Sequence, residues 1–117
     1  MKNIAEVLSH TKSGLERKIT AMESIAEKVI EVVKKKTGTE SLFMSHNRKQ
    51  NVVAARIIAA WIIKEHTCLG EQDIAKLLGK DKASVHYYLA SFRQRYYYEK
   101  NFRTMYETCM AHIKEIL

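Results

Sequence analysis

Proline is absent from the 117 residues, and only four glycines occur (Gly14, Gly38, Gly70 and Gly79). Aspartate appears twice, at Asp73 and Asp81. Tight turns draw mainly on these residue types, so many short strands joined by hairpins are excluded and long helices are expected. The two cysteines, Cys68 and Cys109, are far apart, without a CxxC and without a histidine at ligand spacing. They predict reduced thiols, not a disulfide framework or a zinc site. His10, His46, His66, His86 and His112 are scattered, and neither HxxxH nor HExxH occurs. No metal is expected. The longest apolar stretch, Val52 to Ala55 and then Ile57 to Ile63, is interrupted by Arg56 and too short to span a bilayer. The first residues, MKNIAEVLSHTKSGLERK, carry a charge every few positions and hold no apolar run of signal length. A cytoplasmic protein away from membranes is the expectation. Paired carboxylates, a Ser/His/Asp set and a Cys/His set are all missing, so catalysis is not expected. GxxxxGK[ST] is missing too, so neither a bound nucleotide nor any other cofactor is expected.

What is present is a basic, globular composition. Hydrophobic residues make up 46% and charged ones 28%, which suits one domain with a modest core. Twenty Lys and Arg against thirteen Asp and Glu give a formal charge of +7. That surplus is local. Residues 41–95 hold nine basic and four acidic side chains, whereas residues 96–117 hold three of each. A polyanion would therefore dock on the middle of the chain.

Helical periodicity organises the rest. Leu15, Ile19, Met22, Ala26, Val29 and Val33 form one apolar stripe, with a break expected near Ser9–Gly14 and a second start at Thr20, whose capping partner is Glu23. Lys34, Lys35 and Lys36 before Gly38 suit a helix C-terminus. The stripe either packs within the chain or serves a homodimer or protein partner. A long, mostly buried helix is expected from Asn47 to about Glu65, opened by the polar and basic residues His46, Arg48, Lys49, Gln50 and Asn51. A short helix follows at Glu71–Leu78, a turn at Gly79–Asp81, and a longer helix from Lys82 to about Tyr97. The last helix starts near Asn101, with Phe102, Met105, Tyr106, Cys109, Ile113 and Ile116 on its core side. Trp61 and Tyr88 are expected inside. The run Tyr96–Tyr97–Tyr98 suits either a helix–helix cap or a stacking platform for single strands.

The informative segment is EQDIAKLLGKDKASVHYYL, Glu71 to Leu89. A helix-turn-helix needs a small residue where its helices cross, a glycine at the turn and a branched residue in the second helix. Ala75, Gly79 and Val85 have that spacing. Lys82, Ala83, Ser84, Tyr87 and Ser91 then point outward at the start of the second helix, the part that enters a major groove. Double-stranded DNA is the expected partner.

These residues carry a resemblance. From about Met22 onward the chain resembles the C-terminal DNA-binding domain, domain IV, of the bacterial chromosomal replication initiator DnaA. The family signature of an Ile-small pair, Gly, a basic residue and Asp-His-Thr-Thr-Val is matched by Ile74-Ala75, Gly79, Lys80 and Asp81-Lys82-Ala83-Ser84-Val85. The resemblance implies an all-α bundle with a helix-turn-helix of the Trp-repressor and DnaA domain IV type over residues 22–117, preceded by a helical extension over residues 1–21. It implies base contacts from Asp81, Lys82, Ala83, Ser84 and Tyr87. Arg48 stands where the family places a minor-groove arginine, with Lys49, Gln50 and Asn51 beside it. Arg56 and Lys64 stand at phosphate-contacting positions, and Lys80 would hold phosphate as well. Lys82 and Ala83 replace the signature His and Thr, which alters the sequence read, and Gln50 and Ala54 stand where the family has further basic residues. Without the ATPase motif of the full initiator, the expectation is a free-standing reader of duplex DNA serving replication control or transcription. The competing expectation is a helical protein-interaction module whose helix-turn-helix is degenerate.

Overall fold

The computed structural model describes the backbone of residues 4–117 and the side chains of residues 20–117. Five helices and no strand are found among the described residues: α1 (Ile4–Thr37), α2 (Gln50–His66), α3 (Glu71–Leu78), α4 (Lys82–Tyr98) and α5 (Lys100–Ile116). The fold is all-α, as the glycine and proline counts require.

Helix α1 runs on where the sequence suggested a break at Ser9–Gly14 and a fresh start at Thr20. One glycine costs about 1 kcal/mol in a helix interior, too little to stop a helix of 34 residues with no proline. Leu15 and Ile19, part of the expected stripe, lie outside the described side chains. Ala26, Val29 and Val33 are buried and Met22 packs at the edge of the core. Gly38, at φ 67°, ends the helix in the left-handed conformation that its missing Cβ permits.

Helix α2 lies at the centre and packs on all four others. Ten of its seventeen residues are buried, including the four alanines and Ile57, Ile58, Ile62 and Ile63. It starts at Gln50 and not at Asn47. The Asn47 side chain accepts the Lys49 N–H at 2.8 Å, closing a local turn that competes with helix there. Phe43, fully buried, plugs the loop between α1 and α2 into the core.

One ring organises the junction of α2, α4 and α5. Phe92 stacks on Trp61 with centroids 4.3 Å apart and meets Tyr106 at 4.8 Å, Phe102 at 5.6 Å and Tyr96 at 5.8 Å. Tyr106 donates to Glu65 Oε1 at 3.3 Å, tying α5 to the end of α2. On α5, Phe102, Cys109 and Ile113 are buried and Met105 and Tyr106 partly so. Ile116 departs from expectation at 45% exposed, because it is the last residue of α5 and lies past the bundle.

The cysteines divide cleanly. Cys68 is exposed and Cys109 buried. Burial pushes the Cys109 thiol from 9.0 up to about 11. A raised folded pKa means its contribution to stability is complete below pH 9 and is lost as pH rises through 11. In a thiol titration at pH 8, Cys68 is expected to react in the native protein and Cys109 only after denaturation. Rapid native reaction of both would contradict the packing.

Candidate nucleic-acid interface

The turn between α3 and α4 is built as the sequence spacing requires. Gly79 adopts φ 65° and ψ 33°, and its N–H and that of Lys80 return to Lys76 O and Ala75 O at 3.3 and 2.9 Å. This arrangement satisfies the last carbonyls of α3. A Cβ at Gly79 would lie 3.0 Å from Met44 Cε, so the α1–α2 loop covers the turn closely. Ala75 and Val85 are buried where the helices cross, and Leu78, Ile74 and Tyr88 close the angle. Glu71 and His86 meet at 3.2 Å across its open side.

Asp81 caps α4, its Oδ1 accepting the Ser84 N–H at 2.7 Å. That hydrogen bonding holds its carboxyl below the ordinary carboxylate range. The cap is therefore intact at neutral pH and is lost as pH falls through that lowered value. Lys82 and Ala83 are exposed beyond it, and Ser84 and Tyr87 follow on the solvent face.

Among the expected site residues, Arg56 alone is buried. Placed at a phosphate-contacting position by resemblance, it is 2% exposed. Its Nε donates to Phe43 O at 2.9 Å and its Nη1 to Asn47 O at 2.7 Å. Its Nη2 donates to Leu42 O at 3.1 Å and to Ser45 O at 2.7 Å. A planar fork of five N–H donors can hold several carbonyls at once, which lysine cannot. Arg56 thus shapes the loop from beneath. The signal was present in the sequence: a single cation inside an apolar run is a candidate for burial.

Lys80 is tied in as well, donating to the same Ser45 O at 2.8 Å. Burial, with Arg56 and Arg48 close by, pulls its ammonium below the ordinary lysine value. One carbonyl therefore joins the loop to the helix-turn-helix through two cations.

Between the loop and α4 lies a cleft of about 690 Å³. His46, Arg48, Gln50 and Lys80 line it on one side and Asp81, Ser84, Tyr87, Tyr88 and Arg95 on the other. Arginines and a lysine outnumber its single carboxylate, so the field favours an anion. Tyr88 stands at the base, its phenol pushed up chiefly by burial, with Arg56 and Arg48 opposing the shift. Of the expected site residues, Arg48, Gln50, Arg56, Lys80, Asp81, Ser84 and Tyr87 converge here. Lys82 and Ala83 face a shallower hollow with Glu71 and His86, on the α3 side. Lys49 is exposed nearby, and Asn51 borders a hollow shared with Lys100. Lys64 sits in the last turn of α2, roughly 21 Å along the axis from Gln50 at 1.5 Å per residue, and does not border the cleft.

Arg95 was not among the expected site residues. It follows Ser84, Tyr87 and Ser91 at helical spacing, and that periodicity was the signal that pointed to it. It reaches the cleft beside Tyr87, where with Ser91 it holds the Tyr87 phenol below its ordinary pKa.

The family model of the bacterial DnaA protein helix-turn-helix matches residues 26–91, which span the last third of α1 through most of α4. The chain belongs to the DnaA helix-turn-helix family. No curated protein and no solved structure matches it. DnaA helix-turn-helix domains bind DNA, and the matched span contains the cleft and the turn except for Arg95. No helix among the described residues is long and apolar enough to cross a membrane.

Proposed function

We propose that this DnaA-type domain binds double-stranded DNA in a sequence-dependent manner, with the start of α4 in the major groove. In this reading Lys82, Ala83, Ser84 and Tyr87 address base edges, and Asp81 stands at the groove mouth as their cap. A lysine there can donate to guanine and an alanine methyl can touch a thymine methyl. Arg48 reaches the minor groove or backbone, flanked by Lys49, Gln50 and Asn51. Lys80 and Lys64 hold phosphates, Lys64 from the far end of α2. Arg56 is assigned no DNA contact; it sets the loop that presents Arg48. The role is control of replication or of transcription.

The observation that carries this reading is the cationic cleft formed between the loop and the solvent face of α4. The test is selection of bound sequences from random duplexes, followed by gel shifts with variants. Arg48→Ala is expected to weaken all duplexes about equally and to lower the salt slope by about 1, the mark of a phosphate-region contact. Lys82→Ala is expected to relax preference at one base pair, by about 1–3 kcal/mol. Unchanged binding in both variants would refute the proposal. A consensus near the initiator's own box favours replication; an unrelated palindrome favours a dimeric regulator.

A further inference from the structure

The three consecutive tyrosines at the end of α4 do not share one environment. Tyr96 is absorbed into the Phe92 cluster, edge-on to Tyr106, and donates to Glu107 Oε1 at 3.1 Å. It is the helix–helix cap that one reading of the run expected. Tyr97 and Tyr98 are left out of that cluster. They are 73% and 75% exposed, more than any other large apolar side chain among the described residues. Their rings stand 4.9 Å apart at 72°, so each keeps a face free for another ring to stack on.

A groove of about 360 Å³ joins Tyr98 to the cleft, with Tyr97 packed edge-on beside it. It runs between Tyr87 and Tyr98 past Ser91 and Arg95, and Arg95 also borders the main cleft. Arg95 is thus a shared wall, its charge partly offset by Glu99 at 3.8 Å, and the path from Arg48 and Lys80 leads along it to Tyr98. Lys100 adds a further cation to the hollow that Arg95 and Glu99 border, so the two cations there outnumber the one carboxylate. Helix α4, at seventeen residues, is about 25 Å long, whereas the major groove is about 12 Å wide. A helix entering that groove by its first turns carries its last turns outside it. Base edges of a duplex are then beyond reach of Tyr97 and Tyr98, but the faces of unpaired bases are not.

We propose that the C-terminal half of α4 is a second nucleic-acid site, which takes an unpaired DNA strand by stacking its bases on Tyr97 and Tyr98 while Arg95 holds its backbone. Aromatic faces flanked by cations are the chemistry of single-strand binding, since every base offers a π-face and every nucleotide a charge. An apolar protein surface would find two perpendicular rings amid Arg95, Glu99 and Lys100, with no dry patch around them. The site lies outside the groove-facing residues and goes beyond the duplex reading.

The test uses fluorescein-labelled (dT)20, (rU)20 and a blunt duplex, with the full chain as wild type, Tyr97→Ala/Tyr98→Ala and Tyr97→Phe/Tyr98→Phe. The alanine pair is expected to lose tenfold to a hundredfold in (dT)20 affinity, and the phenylalanine pair to retain most of it, because stacking needs the ring and not the hydroxyl. Duplex binding should change by less than about twofold, since these residues lie outside the groove. Both pairs are exposed and should leave the thermal transition unmoved. Equal (dT)20 binding by wild type and the alanine pair, or none by either, overturns the proposal. A clear preference for (rU)20 overturns the assignment to DNA. Loss of self-association in sedimentation, without loss of strand binding, overturns it in favour of a protein face. Tyrosine-dependent (dT)20 binding with no duplex binding would leave this site standing and refute the function proposed above.

Discussion

Arg56→Ala is expected to lower stability by about 3–5 kcal/mol, although the residue is a cation in a basic DNA-binding protein. Four buried or half-buried carbonyls, of Leu42, Phe43, Ser45 and Asn47, lose the guanidinium at once; Leu42 O still accepts from Ser45 and Ser45 O from Lys80, so the loss falls hardest on Phe43 and Asn47. Hydrogen bonds to a charged group contribute roughly 1.5–3 kcal/mol each, and an orphaned buried acceptor costs about 1–3 kcal/mol. The loop can turn some carbonyls toward water, which keeps the total below the simple sum. Single domains hold only about 5–15 kcal/mol in all. For 117 residues the loss corresponds to a Tm lower by roughly 12–20 °C. Urea denaturation decides the point. A phosphate-contacting Arg56 would leave stability unchanged and lower only the salt slope. Arg56→Lys separates the two roles further: it keeps the charge but cannot span four carbonyls, so it too should destabilise.

Phe92→Ala should cost about as much, 3–5 kcal/mol, for a different reason. The ring is 5% exposed and touches Trp61, Tyr96, Phe102 and Tyr106, so its removal leaves a cavity and breaks four aromatic contacts. Such contacts add about 0.5–1.5 kcal/mol each beyond burial. Because the cluster joins α2, α4 and α5, the Trp61 emission should shift to the red as its stacked face opens. Phe92→Leu, which fills most of the volume, should recover at least half of the loss. A midpoint unchanged by the alanine substitution would mean that the cluster is not the joint described here.

The parts of this molecule that were legible in its sequence are those set by neighbours in the chain. Ala75, Gly79 and Val85 lie within eleven positions, and their roles follow from local geometry. The turn at Gly79–Asp81, the basic end of α1 and the periodicity of α4 are local in the same way. What escaped was set from a distance. The start of α2 moved from Asn47 to Gln50 with the turn that Asn47 closes on Lys49, in a loop held in place by Arg56, nine to fourteen positions away. The grouping of candidate residues escaped too. Arg48 and Ser84 meet across the cleft, whereas Lys82 and Ala83, adjacent to Ser84 in sequence, turn toward α3. The triple tyrosine was ambiguous for the same reason, since only the position of α5 decides which ring is enclosed.

The Ser45 carbonyl shared by Arg56 and Lys80 has a consequence for how the domain responds to its ionic surroundings. Arg56 is balanced by carbonyl dipoles and, among the described residues, by no carboxylate in hydrogen-bonding reach, so its positive charge sits beneath the cleft, nearly enclosed. Mobile counterions cannot condense on a charge they cannot approach, and its field toward the cleft is screened far less than that of Arg48 or Lys49. Added salt strips away the attraction due to the exposed cations first. What persists at high ionic strength is the buried portion, a fixed bias that keeps this face attractive to anions after its surface lysines and arginines have been muted.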